Sequence, residues 1–227
     1  MSSIAENYSS IGQQIKLATQ KAGRDANAVT LLAVSKTRTA EDIRGLYQLG
    51  QRQFGENYTQ EALEKIAALS DLPIIWHFIG PIQSNKSRSI AEHFDWVHSV
   101  DRLKIAKRLS EQRPSHLPAL NICVQVNISH ELSKSGCLPE SAEALLNQIA
   151  ELPNLSLRGL MAIPAATADK TEQRQALASM KHLFETLQKK HPSLDTLSMG
   201  MSNDMEIAIQ EGATMVRIGT ALFGPRS

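Results

Sequence analysis

A lysine placed directly behind an apolar run is a residue whose type and position can do chemistry. Lys36 follows Leu31-Leu32-Ala33-Val34, inside the segment Ser35-Lys36-Thr37. A stem rising from a buried strand takes its amine out of water, which lowers the pKa and makes the neutral form available to attack a carbonyl. The same position also suits an ordinary surface lysine whose ammonium reaches solvent along its stem. Two later segments offer a site for an anion. Ser202-Asn203-Asp204 reads as a helix start, with Ile207, Ala208 and Gly212 completing a short helix. Unpaired N–H groups at such a start attract phosphate, although plain capping by Ser202 or Asn203 needs no ligand. Gly219 and Thr220 add amides and a hydroxyl just after the last apolar run.

Other candidates are less defined on their own. Arg217 could face a ring nitrogen or carboxylate, or pair with a neighbouring acid. Asn57 offers an amide donor and acceptor. His77, within Trp76-His77-Phe78, suits a hydrogen-bonded core residue better than an acid–base group. Met199 and Met201 suit packing, and Lys134 suits a solvated loop. No H-E-x-x-H, clustered Cys/His set or acidic metal loop appears, nor does a G-x-S-x-G elbow.

These residues have to be positioned by the elements around them. Strand-like runs occupy 29–34, 53–55, 74–79, 95–100, 119–126, 157–163, 196–199 and 215–218. Most are near-continuous and β-branched, as parallel strands buried on both faces require. Between them lie helical patterns. Ala176, Leu177, Met180, Leu183, Phe184 and Leu187 form one face, and Ala142, Leu145, Leu146 and Ile149 another, with Pro139 at a first turn. Thr39 and Asp42 form a capping-box pattern, Gly50 sits at a C-terminal cap, and 4–21 reads as an extra leading helix. Eight strand–helix units close a (β/α)₈ TIM barrel. The rival open doubly wound sheet lacks its glycine fingerprint after the first strand. In a barrel, Lys36, Asn57, Ser202 and Gly219-Thr220 all fall on loops at the carboxyl ends of strands. The last two of those loops commonly share a phosphate.

Composition narrows the function classes. In 227 residues, Lys+Arg number 24 and Asp+Glu 23, a formal charge of +1 that gives no general attraction to nucleic acid or anionic membrane. Aromatics at 4% are too few for a base-stacking platform. No secretory signal or apolar run of about 18 residues is visible. The two cysteines, Cys123 and Cys137, form no C-x-x-C pair and suit a reducing cytoplasm.

Taken in order, several segments resemble one family. They are Val34-Ser35-Lys36-Thr37, Phe54-Gly55-Glu56-Asn57-Tyr58, the run from Trp76 to Lys86, Ser133-Lys134-Ser135-Gly136, Leu160-Met161, Met199-Gly200-Met201-Ser202-Asn203-Asp204, Val216-Arg217-Ile218-Gly219-Thr220 and Phe223-Gly224-Pro225-Arg226. The sequence resembles the pyridoxal-phosphate homeostasis proteins, single-domain barrels similar to the alanine racemase N-terminal domain and thus to the fold-type III class of pyridoxal-phosphate proteins. The resemblance implies that Lys36 holds pyridoxal 5′-phosphate as a Schiff base. It further implies that Ser202, Gly219 and Thr220 hold the phosphate, that Arg217 faces the pyridine nitrogen, and that Asn57 and Met201 line the pocket. The chain stops at Ser227 without the lysine-bearing tail of some relatives, so no role for such a tail carries over.

The expectation is one domain over 1–227, a cytoplasmic monomer that buffers or delivers pyridoxal phosphate, with pyridoxal-phosphate-dependent apoenzymes as partners and no catalytic residue. A pyridoxal-phosphate enzyme such as an amino-acid racemase is the alternative. It would need a second acid–base residue opposite Lys36 and, in the racemases, a second domain; the tyrosines at positions 8, 47 and 58 do not suggest one. A lysine-dependent aldolase on the same barrel, acting on a phosphorylated carbonyl substrate, would purify colourless.

Overall fold

The computed structural model describes residues 3–131 and 134–224. Ser133 of the Ser133-Lys134-Ser135-Gly136 segment, and Pro225 and Arg226 of the closing segment, lie outside the described residues. Eight strands form a closed barrel in chain order: β1 (Thr30–Val34), β2 (Gln53–Glu56), β3 (Ile75–Phe78), β4 (Trp96–Val100), β5 (Leu120–Val126), β6 (Leu155–Ala162), β7 (Thr196–Ser198) and β8 (Met215–Ile218). Each runs parallel to the next, and β8 closes on β1 through Thr30↔Met215, Leu31↔Val216, Leu32↔Arg217 and Ala33↔Ile218.

The expected barrel is therefore the fold, and seven of the strands lie within a residue of the apolar runs. The sixth differs. It starts at Leu155, two residues before the expected 157, because Asn154 takes a left-handed turn (φ 61°) and the chain is extended immediately after it. Asn tolerates that conformation better than most side chains. The strand also ends at Ala162, which leaves Ile163 on the rim.

Nine helices surround the barrel among the described residues: α1 (Ile4–Lys21), α2 (Ala40–Gln48), α3 (Thr59–Ala68), α4 (Ser87–His93), α5 (Leu103–Gln112), α6 (Pro139–Ala150), α7 (Lys170–Gln188), α8 (Met205–Gln210) and α9 (Thr220–Phe223). Thr39 caps α2 in a reciprocal box with Asp42, Gly50 follows its end with φ 107°, and Pro139 opens α6. Their inward faces are those the periodicity marks, Leu177, Met180, Phe184 and Leu187 on α7 among them. The leading helix packs on α8, α9 and α2. Asn7 Nδ2 donates to Leu222 O at 2.9 Å, Lys21 pairs with Glu206, and Arg24 donates to Ile209 O and Ala213 O, both at 2.8 Å.

One correction concerns α8. It begins at Met205, and residues 202–204 form a turn in which Asp204 Oδ1 accepts from Met201 N at 2.6 Å. Neither Ser202 nor Asn203 caps the helix, so the capping alternative for these two residues fails.

Glycines mark where backbones pass closest. A Cβ on Gly159 of β6 would stand 1.7 Å from Thr196 O on β7, whereas one on Gly12 of α1 would meet nothing within 4 Å. Gly159→Ala should lower the urea-unfolding free energy by about 3 kcal/mol or more. Gly12→Ala should raise it by about 0.5–1 kcal/mol.

Candidate functional site

At the carboxyl ends of the strands the loops enclose a cavity of about 430 Å³, a size suited to a small-molecule ligand. Barrel geometry decides what lines it, since each strand's last inward residue and its following loop converge on one rim. Lys36 enters after β1, Asn57 after β2, Met201 and Ser202 after β7, Arg217 from β8, and Gly219 with Thr220 after β8. All seven sequence-predicted residues thus line one cavity. Val34, Ile79, Ile163 and Asn203 complete the wall. Met199 is buried and packs, as expected, whereas Met201 is 41% exposed at the edge.

The β1–β8 seam brings Lys36 to Thr220. A Cβ on Gly219 would lie 3.2 Å from Val34 O and 3.4 Å from Val34 Cβ, a tight fit in which the β1 end would have to give by a few tenths of an ångström. Arg38, just after Lys36, donates to Gly224 O and stacks its guanidinium 5.6 Å from the Phe223 ring centroid. Both contacts fasten the Lys36 turn to α9. A smaller 30 Å³ recess between Lys36, Thr37, Arg38 and Thr220 shows how closely the two loops meet.

The floor is cationic. Arg217 is only 5% exposed, and burial lowers its pKa to about 10, so it stays protonated at neutral pH. Three of its five N–H donors are held by Ser198 O at 2.7 Å, Ser198 Oγ at 2.8 Å and Ala162 O at 2.9 Å. Among the described residues no carboxylate pairs with it, which disposes of the simple ion-pair reading. From Ser198 a polar chain crosses the interior: Oγ lies 3.0 Å from His98 Nδ1, and His98 Nε2 lies 2.9 Å from His77 Nδ1. A contact between β4 and β7 can only run through the barrel. His77 is stacked on Trp96 (centroids 5.3 Å apart, planes at 12°), and its Nε2 is buried without a partner. It is the hydrogen-bonded core residue the sequence suggests. Burial holds both rings neutral, pushing His77 down to about 3 and His98 well below its ordinary value.

The wall carries one unused acceptor. Asn57 Oδ1 is buried and has no hydrogen-bond partner, a cost of about 1–3 kcal/mol unless a ligand donor meets it. Lys134 lies outside this cavity, exposed, lining a neighbouring 220 Å³ cleft with Gln125 and Pro81.

Sequence reasoning missed a buried ion cluster beneath the Lys36 turn. Glu56 is fully buried, and its Oε1 accepts from Ser35 Oγ at 2.6 Å and from Lys65 Nζ at 2.9 Å. Lys65 also donates to Ser35 O at 2.7 Å and to Glu61 Oε1. Burial raises the Glu56 pKa while Lys65 and Ser35 pull it down. One signal was available: Lys65 falls on the stripe Ala62, Lys65, Leu69 that α3 and its C-cap bury, where a charge needs a partner. Ile163 and Ile79 carried no such signal, being indistinguishable from strand core.

Comparison with known proteins follows from this geometry. The profile of the family described as alanine racemase, N-terminal domain, matches residues 7–227. A protein of Pseudomonas aeruginosa named pyridoxal phosphate homeostasis protein is 62% identical over 226 residues, covering 100% of this chain and 97% of that one. An Escherichia coli K12 protein of the same name is 52% identical over 229 residues, covering 100% and 98%. The structure of PipY from Synechococcus elongatus PCC7942 with pyridoxal phosphate (PLP) bound superposes with a TM-score of 0.85 at 39% identity, covering 98% of this chain and 100% of that one.

The buried histidines predict a pH dependence. A ring kept neutral in the fold but able to ionise once unfolded stabilises the protein above about pH 6.5, and that contribution is lost as pH falls toward 3. Urea unfolding at pH 7 and pH 4 should show about 3 kcal/mol more loss in the wild type than in His77→Gln.

Proposed function

Because the chain belongs to the alanine racemase N-terminal domain family, and within it to the pyridoxal phosphate homeostasis proteins, we propose that it binds pyridoxal 5′-phosphate and buffers or delivers it in the cytoplasm. One observation carries this reading: a single cavity unites a lysine amine, a glycine-lined loop and a buried cation. When bound, pyridoxal phosphate supplies an aldehyde that condenses with a primary amine and a ring nitrogen that can draw electrons.

Each residue has a role matched to its place. Lys36 holds the aldehyde carbon in a Schiff-base linkage. Ser202, Gly219 and Thr220, which line the same cavity as Lys36, receive the phosphate. Arg217 donates to the ring nitrogen, and its fixed positive charge opposes protonation there. The Asn57 amide and the Met201 side chain border the ring.

That arginine also bears on turnover. A ring nitrogen kept unprotonated is a weaker electron sink, which suits holding the cofactor more than stabilising a carbanion. Among the residues lining the cavity, Lys36 and Arg217 are the ionisable ones. A racemase needs a second acid–base group facing the lysine, and the remaining lining residues are amide, hydroxyl, thioether, aliphatic or glycine. We therefore read the chain as a carrier, and propose with it one domain spanning 1–227, a monomer, and PLP-dependent apoenzymes as recipients.

The purified protein should be yellow, and borohydride should fix the cofactor's mass on the Lys36 peptide. Fixation at a different lysine refutes the anchor. Lys36→Ala should lose covalent labelling and bind at least tenfold more weakly, about 1.4 kcal/mol. Amino-acid α-proton exchange in deuterated water should stay near the rate of the free cofactor, and exchange at an enzymatic rate would establish the racemase alternative.

A further inference from the structure

The Lys36 turn is held from beneath by charged groups that touch no ligand cavity. Ser35 has its N–H on Gly55 O at 2.9 Å, its hydroxyl on Glu56 and its carbonyl on Lys65 Nζ at 2.7 Å. On the other side of Lys36, the Thr37 N–H donates to Glu61 Oε1. Thr37 has φ 62°, a left-handed conformation that a β-branched residue avoids unless its surroundings impose it. Two hydrogen bonds hold it there: the Arg38 N–H closes the turn on Ser35 O at 3.0 Å, and Glu61 accepts the Thr37 N–H.

Lys65 organises the cluster. An ammonium has three N–H donors in a tripod, and here they go to Ser35 O, Glu56 Oε1 and Glu61 Oε1. Glu61 and Lys65 are one turn apart on α3, while Glu56 ends β2. The cluster therefore ties the end of β1, the end of β2 and the first turns of α3 into one unit around the Lys36 backbone. The Lys65 and Glu56 side chains are 7% and 0% exposed, so water does not substitute for these bonds. Thr37 lines the small recess beside Thr220, but Glu56, Glu61 and Lys65 line neither that recess nor the main cavity.

We propose that Lys65, Glu56 and Glu61 are positioning residues that hold the Lys36 amine at the distance from the Gly219–Thr220 loop that one ligand must span. A lysine stem is long and flexible, so its amine is placed only as well as its backbone is held. A displacement of about 1 Å at a reacting group can cost about 100-fold in rate. This proposal rests on Lys36 being the cofactor anchor.

The test uses full-length Glu61→Ala, Glu61→Gln and Lys65→Met, with Glu61 chosen because it is partly exposed and its loss leaves the Lys65–Glu56 bond in place. In the cofactor-free protein, amide hydrogen exchange at Thr37 should accelerate at least tenfold in Glu61→Ala and return toward wild type in Glu61→Gln, whose amide oxygen still accepts. On adding pyridoxal phosphate, the visible band should form 10- to 100-fold more slowly in Glu61→Ala and Lys65→Met. Inorganic phosphate, measured by its competition with the cofactor, should bind all variants within about twofold of wild type, a constancy expected when only the amine has moved. Band formation at the wild-type rate in both Glu61→Ala and Lys65→Met overturns the proposal. So does a parallel loss of phosphate affinity, which would mark general damage to the barrel rim. A wild type that takes up no cofactor at Lys36 refutes the anchor and with it this positioning role, and Thr37 exchange then reports only the turn's mechanics.

Discussion

Closure of β8 on β1 is the constraint on which the site depends. Lys36 and Thr220 are far apart in the chain, and nothing local brings them together. The pairing of Ala33 with Ile218 does so, because the residues after each partner then leave the barrel side by side. The register matters as well as the pairing. A slip of one residue would exchange the inward and outward sets of β8, turning Arg217 out of the interior and its neighbours into it. Gly219 eases the fit, since a side chain there would press on the end of the first strand.

Two buried polar systems hang on that closure, and they do different things. The chain from Arg217 through Ser198 to His98 and His77 crosses the interior and fixes a guanidinium from below by neutral groups. Among the described residues no carboxylate hydrogen-bonds to it, although Asp204 lies near enough to favour its charge. The cluster of Glu56, Lys65 and Glu61 lies outside the barrel wall, between strand ends and α3, with Lys65 paired to both carboxylates and Glu56 Oε2 left buried without a hydrogen-bond partner. Breaking either has an asymmetric cost. Removing one member of a buried pair strands the other, typically at about 3–5 kcal/mol. The interior chain already carries a smaller cost, about 1–3 kcal/mol, in the unpartnered Nε2 of the neutral His77 ring.

Much of this was legible in the sequence, for identifiable reasons. Strands buried on both faces are written as continuous apolar runs, so seven of the eight could be bounded to within a residue, and β6 was obscured only by the Asn154 turn before it. Lys36, Arg217 and Gly219-Thr220 stood out because each breaks or follows such a run, and the barrel rule then assigned them to one rim. What escaped notice depended on side-chain reach rather than spacing. Lys65 spans from α3 to the carbonyl of Ser35, 30 positions earlier, and no periodicity encodes that. Ile79 and Ile163 were hidden for the opposite reason, since they look like more strand until the strand is seen to stop short of them. The α8 start misled because Ser, Asn and Asp favour turns and caps alike, and here Asp204 closes the turn.

The leading helix carries a consequence in time. Through Asn7 and Lys21, and through Arg24 just past its end, α1 grips α8, α9 and the loop before β8, so among the described elements the first helix docks on the last. Contacts of such long sequence separation form late in folding. During synthesis, the lysine-bearing turn is made well before the glycine loop opposite it. A nascent chain thus carries the amine before the loop that faces it across the cavity. A ligand that touches both can be held only once β8 and the loop after it have been made.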